Sequence, residues 1–435
     1  MKRFVFIAAI LACGAIFSGR CCGAQTTARD PLTPAQRAAS DPRVYQAQQE
    51  VEKKNYARAV ELLTGFLKDY PNDPTAHFQL GYVYGLLQRS DDSISEYRRA
   101  AELKPDFAEA NLNLGLALID AKDFAGAAIA LQRAAELTPG QARPRYLAGL
   151  AFERSGNIPG AIAQYQLAAP LDANNFDIRF HLGITLLHDD HAEDAEKELR
   201  AAIALRSDNE AAHSALTDAL LRQKKTDAAI VELRASLERN GGDAQARLKL
   251  ATALNELGKP ADALAELDRA DANAAPSAER AKLRASILIS QKDWDGAAKA
   301  LAIAVAAAPS DAALHAEFGR ILLQQRDFSA AERELRRALT LDGKQTDALR
   351  NLVSAEYLAG NYEGTLQLLD LLAKREAPLP IVLFVRATCY DKLQRKPEAV
   401  EAYRKFLDAD NGQSDKEEFQ ASERLKVLQK ELTKK

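Results

Sequence analysis

The strongest constraint on this chain is a recurrence every 34 residues. Residues 108–141, AEANLNLGLALIDAKDFAGAAIALQRAAELTPGQ, read as two helices and a turn. Leu114 and Gly115 sit in the first helix, Ala127, Leu131 and Ala134 in the second, and Pro139 closes the unit. The same spacing sets units at Ser40, Pro74, Ala108, Ala142, Phe176, Glu210, Ala244, Ala278, Ala312, Thr346 and Pro380, the last ending at Gln413. Eleven units therefore fill residues 40–413 without insertion or deletion. A chain of 435 residues would otherwise divide into two or three domains, because single cores stop growing near ~250 residues. A short repeat grows in one dimension instead.

Within that register, size alternates for packing reasons. The eighth position is Gly81, Gly115, Gly149, Gly183 or Gly319, Ala47, Ala251, Ala285 or Ala387, or Thr217, with Val353 the exception. The twentieth is Ala in every unit but two, which carry Ser93 and Thr365. The twenty-fourth is Leu throughout, apart from Tyr97, Tyr165 and Tyr403. Two antiparallel helices approach to the short end of ~8–10 Å only where small side chains meet at the crossing. Pro71, Pro105, Pro139 and Pro309 at the thirty-second position stop the second helix. Between the helices, Asn55, Asp123, Asn157, Asp293, Asp327 and Asn361 are expected to cap the second helix. The tenth unit departs most, through Val353 and Thr365.

Leu80-Gly81 with Tyr84, Leu114-Gly115 with Leu118, and Leu182-Gly183 with Leu186 match part of the pattern W-x2-L-G-x2-Y. His77, Asn111, Arg145, Arg179 and His213 stand where that pattern has Trp. With the in-register copies, the chain resembles the tetratricopeptide repeat (TPR) family. The resemblance implies an all-α, right-handed α-solenoid whose first helices line the concave side, and a role in binding proteins. Positions 5 and 9 of each unit would then face the groove. The family's carboxylate clamp for chaperone tails needs Lys at position 5 and Asn at position 9, and no unit has that pair.

Positions 5 and 9 change character along the chain. Units two to five present Phe78 and Tyr82, Leu112 and Leu116, Tyr146 and Leu150, Phe180 and Ile184. Units six to ten are mostly polar, with Ser214 and Asp218, Leu248 and Thr252, Lys282 and Ser286, Ala316 and Arg320, Arg350 and Ser354. Packing between neighbouring units is one reading of the eight apolar residues. The other, carried forward as the expectation, is a groove for an extended or helical peptide. Arg143, Arg154, His188 and Arg222 flank it, either to orient acidic groups or as ordinary solvated charges.

No phosphate-binding glycine loop, nucleophile elbow or H-E-x-x-H is present. No catalytic residue, cofactor or metal is expected. His188, Asp189, Asp190 and His191 have ligand-like residue types but fall in a turn, where solvation explains them. A net charge of -3, with both signs intermixed, argues against nucleic acid. A transferase of the TPR-linked type is not expected, since no transferase domain is read after the repeats. The expected partner is therefore a protein or peptide.

Lys2 and Arg3 precede an apolar run from Phe4 to Phe17. That pattern reads as a signal peptide over residues 1–24, with cleavage after Ala24, and export to the periplasm. The run is shorter than the ~20 residues of a membrane span. An uncleaved anchor and a lipid on Cys13, after Ile10-Leu11-Ala12, are the alternatives; either would be the chain's only membrane contact. Residues 25–39 read as a flexible linker. Residues 414–435 read as a capping helix with Phe419, Leu425, Leu428 and Leu432 on one apolar face. The function expected is a non-enzymatic interaction scaffold of the bacterial cell envelope; the alternative is a lipid-anchored component of secretion, polysaccharide or outer-membrane assembly machinery.

Overall fold

The structure, a computed structural model, describes residue 38 and residues 40–272, 274–410 and 414–433. The expected signal peptide, with Cys13, Cys21 and Cys22, and the expected linker apart from Ala38 lie outside them. Among the described residues there are 23 helices and no strand. The chain divides into two compact units at Ser155 and Gly156. The first holds α1 (Pro42–Glu52), α2 (Tyr56–Asp69), α3 (Pro74–Leu86), α4 (Ser90–Leu103), α5 (Ala108–Asp120), α6 (Phe124–Leu137) and α7 (Ala142–Arg154). The second runs from α8 (Ile158–Ala168) through α9 (Phe176–His188), α10 (Ala192–Leu205), α11 (Glu210–Arg222), α12 (Thr226–Arg239), α13 (Ala244–Glu256), α14 (Pro260–Asp271) and α15 (Ala278–Ser290). It continues with α16 (Trp294–Ala307), α17 (Ala312–Gln324), α18 (Phe328–Leu341), α19 (Thr346–Ala359), α20 (Tyr362–Ala373), α21 (Pro380–Lys392), α22 (Lys396–Asp410) and α23 (Asp415–Thr433). Helices begin at Pro74, Ala108, Ala142, Phe176, Glu210, Ala244, Ala278, Ala312, Thr346 and Pro380, 34 residues apart.

Neither unit has one central core. Each apolar cluster is shared by three or four successive helices, such as Ile94, Tyr97, Leu114, Leu118, Leu131 and Ala148 across α4 to α7. That is the one-dimensional packing of an α-solenoid. Inside a pair, the seam is set by the small-against-large rule. A Cβ on Gly115 would lie 2.4 Å from Leu131 Cγ, and one on Gly319 would lie 2.5 Å from Leu335 Cγ. Leu131 and Leu335 are fully buried. Polar residues at seam positions satisfy their own hydroxyls. Ser93 Oγ donates to the Gly81 carbonyl at 2.8 Å, Thr217 to His213 at 3.0 Å and Thr365 to Asn361 at 2.7 Å.

The turns within pairs share a feature that the sequence does not display. Lys54, Gln88, Lys122, Gly156, Asp190, Lys224, Gly258, Lys292, Arg326, Gly360 and Gln394 all have φ between 58° and 82°. These positions are 34 residues apart, and only three are glycine. The left-handed residue closes the first helix in a Schellman motif. Lys122 N donates to Ile119 at 2.9 Å, and Asp123 N to Leu118 at 2.9 Å. The side chain of Asp123 then caps α6 through Gly126 N at 2.9 Å, with Asn157, Asp293, Asp327 and Asn361 doing the same for their helices. Asn55 departs from the expectation. Its amide donates to Glu50 Oε2 at 2.8 Å, and its side chain caps nothing. Between pairs, Asp73, Asn175, Asn209, Asp243, Ser277 and Asp311 cap the next first helix.

At the C-terminal end α23 packs on α22, but its expected apolar face needs correction. Phe419 is 69% exposed and Leu432 is exposed too. The seam is Ala421, Leu425 and Leu428, packed against Tyr403 and Phe406. Arg424 lies on the same side, because 421, 424, 425 and 428 follow the helical period, and its Nε and Nη2 donate to Asp391 at 2.6 and 2.8 Å. Among the described residues no helix is long and apolar enough to cross a membrane.

Candidate partner-binding face

The six apolar residues of the first unit lie on α3, α5 and α7, and each is half-buried. Phe78, Tyr82 and Leu112 lean on the cluster shared by α4 to α7. The Phe78 ring sits 5.6 Å from Tyr97 and 5.1 Å from Phe107, the residue before α5. Phe78 therefore joins one pair to the next while keeping an open edge. Leu116, Tyr146 and Leu150 repeat the half-buried state on α5 and α7. Phe78, Tyr82 and Leu112 thus pack as the first reading has it, and all six side chains keep part of their surface open. Phe180 and Ile184 belong to the second unit, on α9. There Phe180 stacks on Phe176 at 5.4 Å and packs with Ala202 and Ala212.

Several polar positions of the second unit are engaged with neighbouring side chains. Lys249 Nζ reaches Asp218 Oδ1 at 2.6 Å and Ser214 Oγ at 3.3 Å. Arg350 Nη1 donates to Asp347 at 2.6 Å, and its other nitrogens hold Glu376. Of the flanking cations, Arg143, Arg154 and His188 are exposed. Arg222 is committed elsewhere: its Nη1 donates to the Leu187 carbonyl at 2.7 Å and to Asp190 at 2.6 Å. It fastens α11 to the end of α9, so a peptide-orienting role is withdrawn from it.

Asp190 being held by Arg222, and Asp189 pairing with His191 Nε2 at 3.1 Å, the histidine-rich turn has its carboxylates in use. Among the described residues no three metal-ligating side chains converge. Cys389 is fully buried, and burial pushes its thiol up to about 12, so little of the reactive thiolate forms at neutral pH.

A further set of residues escaped the sequence reading. His77, His213 and His315, where the family pattern has Trp, each meet a glutamate 19 residues on: Glu96, Glu232 and Glu334. Arg179 and Arg247 make the same link, to Glu198 and Glu266, both at 2.6 Å. The signal was present as a basic residue at position 4 whenever position 23 is Glu. It becomes visible only once the two helices are folded antiparallel.

Models of the tetratricopeptide repeat match residues 46–106, 87–142, 220–287, 288–355 and 382–410, more than half of the chain. No curated protein matches. Solved structures with similarity include YrrB, described as a TPR protein with an unusual peptide-binding site, at 21% identity, 42% of this chain, 93% of that one and a TM-score of 0.37. MamA from Desulfovibrio magneticus RS-1 shares 21% identity over 39% of this chain and 95% of its own, with a TM-score of 0.34. Yeast Tom70 shares 14% over 92% of this chain and 97% of its own, with a TM-score of 0.36. The family assignment rests on the sequence models and on the helix pairs with their small-against-large seams: the chain belongs to the tetratricopeptide repeat family.

Proposed function

We propose that this chain is a non-enzymatic scaffold of the bacterial cell envelope that binds a peptide segment on the first-helix face of α3, α5 and α7. The carrying observation is that Tyr82, Leu112, Leu116, Tyr146 and Leu150 keep part of their apolar surface open at repeating positions of three first helices. A partner that buries them gains ~25 cal/mol per Å² of apolar surface covered. Concave faces of helical repeats bind extended partners in this way. Phe78 supplies the floor through its contacts with Tyr97 and Phe107. The basic start and apolar run from Phe4 to Phe17 support export.

The test pairs Leu116→Glu/Tyr146→Glu with Val231→Glu, a substitution at a 65% exposed residue on α12. All are checked for helical content, then offered to envelope extract. Partner recovery should fall at least about tenfold for the double variant, the loss of ~1.4 kcal/mol, and stay level for Val231→Glu. Equal recovery from both rejects this face. The mature N-terminus settles anchoring separately: Gln25 as first residue excludes a lipid anchor, and an acylated Cys13 supports one.

A further inference from the structure

Each of His77, His213 and His315 faces two oxygens that can only accept. Nδ1 of His77 lies 2.5 Å from Glu96 Oε2, and Nε2 lies 3.0 Å from the Pro71 carbonyl. His213 meets Glu232 at 3.1 Å and the Ser207 carbonyl at 3.1 Å. His315 meets Glu334 at 2.6 Å and the Pro309 carbonyl at 3.2 Å. The glutamate is on the second helix of the same pair. The carbonyl belongs to the segment that ends the preceding pair. The three side chains are 9% to 12% exposed.

A neutral imidazole carries one N–H and an imidazolium two. With a carbonyl on one side and an ionised carboxylate on the other, both bonds close only when the ring carries two N–H groups, as the imidazolium with one proton beyond the neutral ring. Remove it, and a ring lone pair faces an oxygen lone pair at hydrogen-bond distance, in a site with little water to intervene.

We infer that His77, His213 and His315 are proton-dependent locks between successive repeats, closed by the charged ring and opened by its deprotonation. The chain carries its own contrast. Arg247 takes the same two acceptors, with Nη1 on Glu266 at 2.6 Å and Nη2 on the Gly241 carbonyl at 2.8 Å. Its guanidinium does not give up its proton in proteins, so that joint is locked at every ordinary pH.

Other charges face these rings. Arg99 of α4 opposes a positive His77, and is itself bonded to Asn72 at 2.9 Å. Arg200 of α10 approaches Glu232 at 3.9 Å, and Glu210, held by Arg239, lies near His213. Arg337 of α18 reaches the carbonyl that His315 uses, at 3.5 Å. For His77 the balance is favourable to the proton: burial lowers its affinity, but the Glu96 carboxylate and Pro71 carbonyl raise it further, and the ring sits above the usual histidine value. A raised folded value gives stability that is full below about 6.5, the ordinary value, and is lost as pH rises through the folded one.

The experiment uses the full chain. Thermal unfolding is compared at about pH 6 and about pH 8.5, on either side of the ordinary histidine value. The variant is His77→Arg/His213→Arg/His315→Arg, with His181, His188 and His191 left in place. The wild-type midpoint should fall at the higher pH, and the variant should lose roughly half of that fall or more. A variant with the full wild-type fall overturns the locks. Should the triple variant not fold, nitrogen NMR of histidine-labelled wild type decides, with His77 identified by His77→Gln. Two protonated ring nitrogens at a pH where a free histidine peptide is mostly neutral uphold the lock; a single-N–H tautomer there refutes it.

Discussion

Two joints between neighbouring repeats solve the same problem with different chemistry. In the first unit, α3 and α4 meet the start of α5 through the rings of Phe78, Tyr97 and Phe107, with centroids 5.1 to 5.6 Å from Phe78. In the second, α10 meets α11 and α12 through one carboxylate. Glu196 accepts from Arg200 at 2.9 Å, Gln223 at 3.0 Å and Lys225 at 2.8 Å. Beneath both, the seam within the pair is the same: Gly81 under Tyr97, and Gly183 under Leu199. The contact inside a pair is thus tightly constrained, while the contact between pairs is open to aromatic, ionic or histidine solutions. Such freedom is what lets the face of the first helices diverge along the chain without disturbing the register.

The sharpest way to break that contrast is to substitute a seam and a face residue side by side. Gly115→Val drives a branched side chain into Leu131, whose Cγ already lies within 2.4 Å of where a Cβ would sit. Overpacking of this kind costs ~1–3 kcal/mol or more, and the helix must shift to relieve it. Leu116→Ala, one residue on, trims a half-buried side chain and should cost about 1 kcal/mol, the centre of the range for point changes. Thermal unfolding of both variants ranks them. A larger loss for Leu116→Ala would show that the face, and not the seam, sets the stability of the pair.

The seams were legible in the sequence because they depend on residue size at fixed spacing. Gly115, Ala127 and Leu131 mark theirs without reference to anything distant, and Asp123 before Phe124 marks its cap. Other features needed coordinates. The left-handed turn residue was hidden because Lys54, Lys122 and Lys224 carry no signature of positive φ. The His77–Glu96 link joins residues 19 apart, and means nothing until the helices fold back. Phe419 is apolar at a spacing that fits the face, yet the helix turns that position away from the core. At positions 5 and 9 the apolar residue types were legible, but not their half-burial, which depends on what the next repeat brings.

A smaller effect separates the two joints by pH. The Lys225 ammonium, with Arg200 and Gln223, outweighs burial and holds the Glu196 carboxyl at about 2. An unfolded glutamate titrates near ~4.3. The folded value is the lower one, so this joint's stability is fully present above the unfolded value and is lost as pH falls towards about 2. Glu196→Gln should therefore unfold more readily at neutral pH and show a shallower loss between about pH 4.5 and pH 2. Phe78→Leu, which touches only the aromatic joint, should leave the acid limb with its wild-type slope. Hydrogen exchange on α10 to α12 across that pH range reads the difference locally, and an unchanged slope for Glu196→Gln would deny the carboxylate its part in the joint.

The smallest expected effect lies in the turns, which both kinds of joint share. Lys122 and Gly258 occupy equivalent positions at φ 64° and 71°. An L side chain in the left-handed region costs ~1–2 kcal/mol, and glycine escapes that cost but gives up more chain entropy on folding. The two terms partly cancel, so Lys122→Gly should stabilise by no more than about 1 kcal/mol. Gly258→Ala should destabilise by a similar amount, even though a Cβ there meets nothing within 4 Å, because the penalty is in the backbone and not in a clash. Lysine offsets part of its own cost by placing a cation beside the C-terminal carbonyls of α5. That share is screened by salt, so the gain from Lys122→Gly should grow as ionic strength rises. Chemical unfolding of the two variants at low and high salt checks the pair, and a Gly258→Ala variant as stable as wild type would mean that the turn relaxes out of the left-handed region and does not fix the angle between the helices.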